Sequence, residues 1–155
     1  MKNLFLCAIA LVFASAIIAA QIPASAPPVA SAPPAENPLA TARVFDYDQM
    51  TVRHSPNGSE GRVVFSGTLA TGEAVGAHEN MQPAGTVPPA LHKIQHSELI
   101  VVEQGTLEFD HDGKAERAGP GSIIYIALGT VHAVKNVGDG PAKYVVIQIG
   151  GDIKK

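Results

Sequence analysis

The sequence has no tryptophan, a single cysteine and few aromatic residues, which make up 5% of the total. The cysteine, Cys7, lies in an apolar segment near the first residue. A chain with one cysteine cannot build a disulfide framework, so its stability must come from an apolar core. An immunoglobulin-like sandwich is disfavoured too, because its core depends on a cysteine pair and a tryptophan.

The sequence also lacks clusters of positive charge. Lys and Arg together number 11, Asp and Glu together number 14, and the formal net charge is -3. Binding to nucleic acid requires a basic face that neutralises the phosphates. We therefore expect no nucleic-acid partner.

Residues 1–20 have the pattern of a secretory signal peptide. Lys2 supplies a positive charge, residues 4–18 form an apolar run, and small residues precede the predicted cleavage site before Gln21. The run is shorter than the roughly 20 residues that span a bilayer. Cys7 lies too early for lipid attachment at the cleavage site. We predict an exported protein, periplasmic or extracellular, without a membrane anchor once the signal is removed.

Residues 21–41 are almost wholly Ala, Pro and Ser. Such a segment cannot bury an apolar face, and its prolines favour extended conformations. We predict a disordered leader here, followed by one folded domain over residues 42–155. That length is sufficient for one modest core.

The domain shows short apolar segments separated by Gly- and Pro-containing turns, a pattern typical of β-strands. Asp112-Gly113 is a strong signal for a two-residue hairpin turn. No segment keeps a helical apolar period, so we predict an all-β, antiparallel sandwich or small barrel. The predicted strands are 42–47, 62–69, 73–82, 97–104, 106–111, 122–126, 131–136 and 142–149.

A first polar cluster precedes the strand at 97–104. His92, His96 and Glu98 are separated by even numbers of residues, so in an extended chain they would face one side of a sheet. Neutral imidazoles and a carboxylate on one face can bind a divalent transition metal. The alternative is that Glu98 points to solvent while its neighbours Leu99 and Val101 point inward.

A second cluster follows about three strands later. Gly121 and Gly129 bracket an apolar strand and a turn, His132 begins the next strand, and Asn136 ends it. One histidine on an apolar strand is more often a hydrogen-bonded core residue than a ligand. Two spaced clusters of the same chemistry favour a site.

Together the two clusters resemble the paired motifs of the cupin superfamily, over residues 85–136. The resemblance implies an antiparallel cupin-like (jelly-roll) β-barrel with the motifs at one end. Ala127 stands where the second motif usually has Pro, and Gly85 is one residue further from His92 than is usual. The matching positions are His92, Glu98 and Gly105 in the first motif and Gly121, Gly129, His132 and Asn136 in the second.

One position of the site departs from the family pattern. Ile94 stands where the first motif has its second histidine, and His96 is the candidate replacement. The resemblance therefore implies a metal site of His92, His96, Glu98 and His132. Without His96, the other three still form a two-His, one-carboxylate set. The metal would be Fe, Mn, Zn or Ni, and a barrel without metal is the third alternative.

The resemblance implies two classes of function. The first is a metal-dependent enzyme that acts on a small organic molecule, as a dioxygenase, an isomerase or a decarboxylase. The second is a non-catalytic module that binds a small ligand in the barrel. Small cupins commonly form homodimers through sheet faces, and the apolar strand 99–102 is compatible with a covered outer face.

Several other polar residues carry weaker predictions. His78 lies before the first motif and could contact substrate, although a surface or hydrogen-bonded role is the simpler interpretation. Gln148 could face the barrel interior or a solvated face of the sheet, and Tyr125 could donate a hydrogen bond inside the barrel or simply pack. His54 and His111 lie in turn-rich segments and are interpreted as incidental.

Overall fold

A computed structural model describes residues 36–153, which form ten β-strands and one short 3-10 helix, Tyr47–Gln49. The described residues include no α-helix and hence no helix able to cross a membrane. The predicted signal peptide at 1–20 and most of the predicted leader lie outside this range. The strands are β1 (Val52–His54), β2 (Glu60–Thr68), β3 (Ala74–Gln82), β4 (His92–Lys93), β5 (Ser97–Gln104), β6 (Leu107–His111), β7 (Lys114–Ala118), β8 (Ile123–Ile126), β9 (Val131–Asn136) and β10 (Ala142–Ile149).

The strands form two antiparallel sheets. The larger sheet has the order β1-β2-β3-β10-β5-β8, and the smaller has the order β4-β9-β6-β7. The last strand, β10, lies between β3 and β5, so the centre of the larger sheet joins distant parts of the sequence. This arrangement confirms the predicted all-β, antiparallel jelly-roll architecture.

The apolar core lies between the two sheets. Along β5, buried and half-buried residues alternate, as expected for a strand with one face on the core. Ile100 is 2% exposed and Val102 is 1% exposed on the larger sheet, and Leu107 on the smaller sheet is 0% exposed. Side chains from both sheets therefore form one cluster, which closes one half of the barrel.

The predicted hairpin at Asp112-Gly113 joins β6 to β7. Asp112 has a φ of 46° and Gly113 a φ of 75°, the left-handed conformations that such a turn requires. The prediction of the turn is confirmed, but β7 was not predicted. Its sequence, Lys-Ala-Glu-Arg-Ala, has no large apolar residue, and it is held as an edge strand by the hairpin.

The strand predicted at 42–47 is wrong. This segment makes no strand pairing, and it ends at Asp46, whose side chain accepts a hydrogen bond from the Asp48 amide at the start of the 3-10 helix. Its apolar residues pack on a sheet without joining one: the Phe45 and Phe65 ring centroids are 4.9 Å apart. Contacts with the larger sheet begin already at Asn37, whose side chain donates to the Thr68 carbonyl at 2.8 Å. The predicted boundary at 41/42 stays a prediction.

Asn136, the last residue of the second motif, ties the two sheets together. Its side-chain amide donates to the Gln82 carbonyl at 2.9 Å and to the Gly140 carbonyl at 2.8 Å. Its backbone amide donates to the Gln82 side chain at 3.0 Å, and its side-chain oxygen accepts from Gly138. Because Gln82 ends β3 and Asn136 ends β9, these bonds join the larger sheet to the smaller one.

Candidate functional site

A cavity of about 160 Å³ lies between the sheets and contains three of the four predicted ligands. Glu98 enters it from β5, and His92 and His132 enter it from β4 and β9. His78 and Tyr144, from β3 and β10, line the same space. We call this space the His–Glu cavity.

His92 and His132 are neighbours because β4 pairs with β9 in a register that sets them directly opposite each other. Their ring centroids are 4.6 Å apart. The Nδ1 atom of His92 lies 3.3 Å from the Ala90 carbonyl, and that of His132 lies 3.2 Å from the Thr130 carbonyl. A carbonyl only accepts hydrogen bonds, so Nδ1 carries the proton in each neutral ring. Each Nε2 is then a lone-pair donor, as in histidines that bind metal.

Burial keeps the deeper histidines neutral. His132 is 2% exposed, and burial is the main cause that lowers its pKa, with a further contribution from His92. Burial also lowers the pKa of His78, against the attraction of the Glu98 carboxylate. Both imidazoles are therefore held in the form that can donate a lone pair or accept a proton.

Glu98 is a buried carboxylate, 9% exposed. Its Oε1 atom contacts His96 Nε2 at 2.9 Å and accepts from Gln148 Nε2 at 3.2 Å. A buried carboxylate is costly without such partners. Both bonds end on Oε1, and Oε2 has no hydrogen-bond donor among residues 36–153. This second oxygen is the one left for a ligand.

His96 lies beside the His–Glu cavity, between two carboxylates. Its Nε2 contacts Glu98 and its Nδ1 lies 2.7 Å from Asp152 Oδ1. Burial opposes a charge on the ring, but the hydrogen bonds to Asp152 and Glu98 outweigh it, so the pKa of His96 is raised. As the side chains stand, neither nitrogen of His96 is free for a metal ion.

The C-terminal segment brings Asp152 to His96. The Gly150 amide donates to the Ala74 carbonyl at 2.8 Å, and the Asp152 amide donates to the Gln95 carbonyl at 3.3 Å. Between them Gly151 has a φ of 64°, and a Cβ at this position would overlap the Gln95 carbonyl. Only glycine fits this close approach.

The remaining predictions around the site have mixed outcomes. Ile94 packs against the apolar core and leaves the cavity lining to other residues. Gln148 faces inward, the first of its two predicted alternatives, whereas Tyr125 is 61% exposed. His111, which is interpreted as incidental, lies opposite His132 across β6 and β9, and its ring centroid lies 4.3 Å from that of Phe109.

Tyr144 is a cavity residue that the sequence analysis missed. It is 5% exposed, and its hydroxyl accepts a hydrogen bond from the Gln82 side chain at 2.9 Å. Burial raises its pKa to about 12, so the hydroxyl stays protonated and can donate to a bound molecule. The alternation Ala142, Tyr144, Val146 along β10 was the available signal for its inward direction.

A wider space opens beside the His–Glu cavity, along the inner side of β1, β2 and β3. Its volume is about 610 Å³, and it shares His78, Asn80, Gln82 and Tyr144 with the cavity. We call it the side cleft. It exists because the core residues of the smaller sheet pack against β10, β5 and β8, so Val63 on β2 remains 42% exposed although it pairs with the cavity residue His78.

The donor groups of the cavity do not converge on one point. Within residues 36–153, no three His, Cys, Asp or Glu side chains form a group close enough to hold a metal ion as they stand. His92 is exposed and lies on a strand of only two residues, so its ring can rotate at little cost. The two Nε2 atoms and the free Glu98 oxygen are the donor types that divalent transition metals prefer.

Part of this chain matches a protein family in sequence, and solved structures share its fold. Residues 77–148 match the family described as Cupin domain, and no curated protein matches the chain in a sequence search. KdgF from Halomonas sp. has 17% identity and a TM-score of 0.60, over 72% of this chain and 97% of its own. A predicted oxalate decarboxylase from Thermotoga maritima has 19% identity and a TM-score of 0.55, over 69% of this chain and 98% of its own.

A third structure, the RmlC-like cupin from Shewanella frigidimarina, has 14% identity and a TM-score of 0.57, over 72% of this chain and 94% of its own. At these identities the structures establish the fold alone. The matched segment runs from β3 to β10 and includes both motifs. The family match, the two motifs and the jelly-roll topology agree, and residues 77–148 of this chain form a cupin domain.

Proposed function

We propose that the His–Glu cavity binds a divalent transition metal ion through His92, Glu98 and His132, and that a small organic molecule is bound there. The observation that supports this most is the state of the two histidines. Both have Nδ1 next to a backbone carbonyl, which leaves both Nε2 atoms as lone-pair donors in one cavity. Core histidines held only for stability need no such shared arrangement.

The predicted role of His96 changes in this proposal. Its two nitrogens contact Glu98 and Asp152, so we assign it the orientation of Glu98 and leave the three-residue set as ligands. Residues that are hydrogen-bonded to a metal-binding side chain fix its orientation and tune its basicity. Gln148 fixes the same oxygen of Glu98 from β10.

When bound, a divalent ion with open positions would polarise substrate oxygens or activate dioxygen. The chain's own residues would bind and orient the organic molecule. The Tyr144 hydroxyl is a hydrogen-bond donor, and neutral His78 can accept a proton. Decarboxylation, isomerisation and dioxygenase chemistry are each compatible with these groups.

Elemental analysis of the purified protein after incubation with Fe(II), Mn(II), Zn(II) or Ni(II) tests the metal. We expect one ion per chain in the wild type and loss of the ion in His92→Ala, Glu98→Ala and His132→Ala. His54→Ala is the matched control, because His54 is exposed and pairs only with Glu60. A wild type that stays metal-free would contradict the proposal and favour a metal-free ligand-binding module.

Retention of metal by His96→Ala, with reduced affinity, would agree with its assigned role. Complete loss in that variant, equal to the loss in His132→Ala, would make His96 a ligand instead. Turnover assays with diketones and catechols on the metal-loaded protein then separate an enzyme from a binding protein.

We also propose that a second copy of the chain covers the outer face of β5 and β8. The segment from Asn37 to Tyr47 packs on β2, whereas Ile123 on β8 is 66% exposed and Tyr125 is 61% exposed. Sedimentation velocity tests this: we expect a dimer for the wild type and a monomer for Tyr125→Glu. A monomeric wild type would contradict it.

A further inference from the structure

The side cleft contains one cationic side chain without an acidic partner. Arg53 lines the cleft from β1 and is exposed. Arg62, the other arginine of the lining, lies 3.4 Å from Glu60 and 3.4 Å from Glu79. Among residues 36–153, no acidic group forms an ion pair with Arg53. The cleft therefore has an unbalanced positive charge at this position.

The strand register places Arg53 on the same inner face as the cavity residues. Arg53 pairs with Gly61 on β2, Gly61 pairs with Asn80 on β3, and Asn80 pairs with Tyr144 on β10. Directly paired residues of a sheet point to one face. Asn80 and Tyr144 both line the His–Glu cavity, so the row from Arg53 leads into it.

Gly61 keeps that row open. It is the only position between Arg53 and Asn80, and it has no side chain. The guanidinium group can therefore extend over β2 towards Asn80 without passing a side chain. Asn80, Gln82 and Tyr144 supply polar groups along the same path.

The geometry points to Arg53 as the binding site for the terminal carboxylate of a small, elongated organic anion whose other end lies in the His–Glu cavity. This inference rests on the proposed function, because it names the substrate class of that same site. Arginine suits the role, since its planar guanidinium binds a carboxylate through two parallel hydrogen bonds.

The spacing of the strands limits the length of the anion. Arg53 on β1 and the cavity residue Tyr144 on β10 lie in one row of the sheet, three strand spacings apart, or roughly 14 Å between Cα atoms at about 4.8 Å each. Their side chains shorten this gap from both ends. A molecule with its two acidic groups on a chain of several atoms can reach both positions, whereas oxalate cannot.

Titration calorimetry with adipate tests the inference on the purified full chain loaded with metal. We expect Arg53→Gln to bind adipate at least about tenfold more weakly than the wild type, and Arg53→Lys to lose less. Adipamide, a neutral molecule of the same length, should bind the wild type about as weakly as adipate binds Arg53→Gln. The matched control is Arg117→Gln, because Arg117 lies on β7 in the other sheet.

Equal adipate affinity in the wild type and Arg53→Gln would overturn the inference, as would equal affinity for adipate and adipamide. Inorganic phosphate is the second anion probe, and phosphate that binds more tightly than adipate through Arg53 would overturn the carboxylate assignment. The metal analysis separates this inference from the proposed function. Metal bound equally by wild type and Arg53→Gln, without adipate binding, refutes only the inference; Arg53-dependent adipate binding without metal refutes only the metal site.

Discussion

The inner face of the larger sheet has two halves of opposite character. On β5 and β8 it is closed by the smaller sheet: Ile100 is 2% exposed and Ile126 is 0% exposed. On β2 and β3 it is open, and Val63 is 42% exposed. The His–Glu cavity lies at the border, on β10 and its neighbours. One continuous sheet therefore carries the apolar core at one side and an open cleft with polar lining residues at the other.

The largest effect should come from the closed half. Ile126→Ala removes a completely buried side chain, and we expect a loss of about 2–5 kcal/mol in the free energy of unfolding. Val63→Ala in the open half should change it by about 1 kcal/mol or less. Urea denaturation of both variants measures the difference. Similar losses would show that the open half is covered in solution.

At the border, Glu98→Gln keeps the shape of the side chain and removes its charge. We expect its metal affinity to fall by more than the roughly 10–100-fold that loss of a supporting residue causes. Glu103→Gln is the control, because Glu103 lies on the same strand and its side chain is 41% exposed. Competition with a chelator measures both affinities. Comparable values for the two variants would contradict the assignment of Glu98 as a ligand.

A smaller effect is expected for Asp152→Asn, which leaves every proposed ligand in place. Asp152 holds His96, and His96 holds Glu98, so metal affinity should fall by roughly 10–100-fold. Asp139→Asn serves as the control, because Asp139 is exposed in the turn between β9 and β10. An unchanged affinity for Asp152→Asn would show that Glu98 keeps its orientation without the C-terminal segment.

The smallest expected effect is on the pH dependence of folding stability, to which His132 and His96 should contribute with opposite signs. The pKa of His132 is lowered, so the unfolded chain binds its proton more readily and stability falls as pH drops below about 6.5. The pKa of His96 is raised, so its contribution is complete below about 6.5 and is lost as pH rises through the folded-state pKa.

Urea denaturation of chelator-treated protein between pH 8 and 5.5 measures these contributions. As pH falls, the free energy of unfolding of the wild type should decrease relative to that of His132→Asn. Over the same range, the free energy of unfolding of the wild type should increase relative to that of His96→Asn. If these two differences changed with pH in the same direction, the opposite pKa shifts of His132 and His96 would be contradicted.

Local patterns in the sequence were sufficient for the elements that depend on neighbouring residues. The Asp112-Gly113 turn follows from the φ angles it requires, and β5 and β10 follow from their apolar residues. Local patterns fail for the strand predicted at 42–47, whose apolar residues are typical of a strand but which pairs with no strand in residues 36–153. Local patterns also fail to predict β7, whose charged sequence forms a strand because the hairpin pairs it with β6.

The site was predictable only as far as the motifs extend. His92, Glu98 and His132 were identified from spacing and resemblance, and they line one cavity. The partner of His96 was not predictable, since Asp152 lies 56 residues away and reaches it through the Gly150-Gly151 turn. The registers of β10 and β1 place Tyr144 in the His–Glu cavity and Arg53 in the side cleft, and no local pattern specifies these registers.

Asn136, the last residue of the second motif, has a structural role that is separate from the proposed metal site. Its polar atoms are all occupied by Gln82, Gly138 and Gly140, so it serves the joint between the sheets. His92, Glu98 and His132 make none of these hydrogen bonds, so they can change while this asparagine keeps its role. The presence of this asparagine in a sequence therefore indicates the fold and gives no information about the reaction. A redesign of the cavity would therefore keep Asn136 together with Gln82, and at position 132, which is 2% exposed, it would need a side chain that fills the same space.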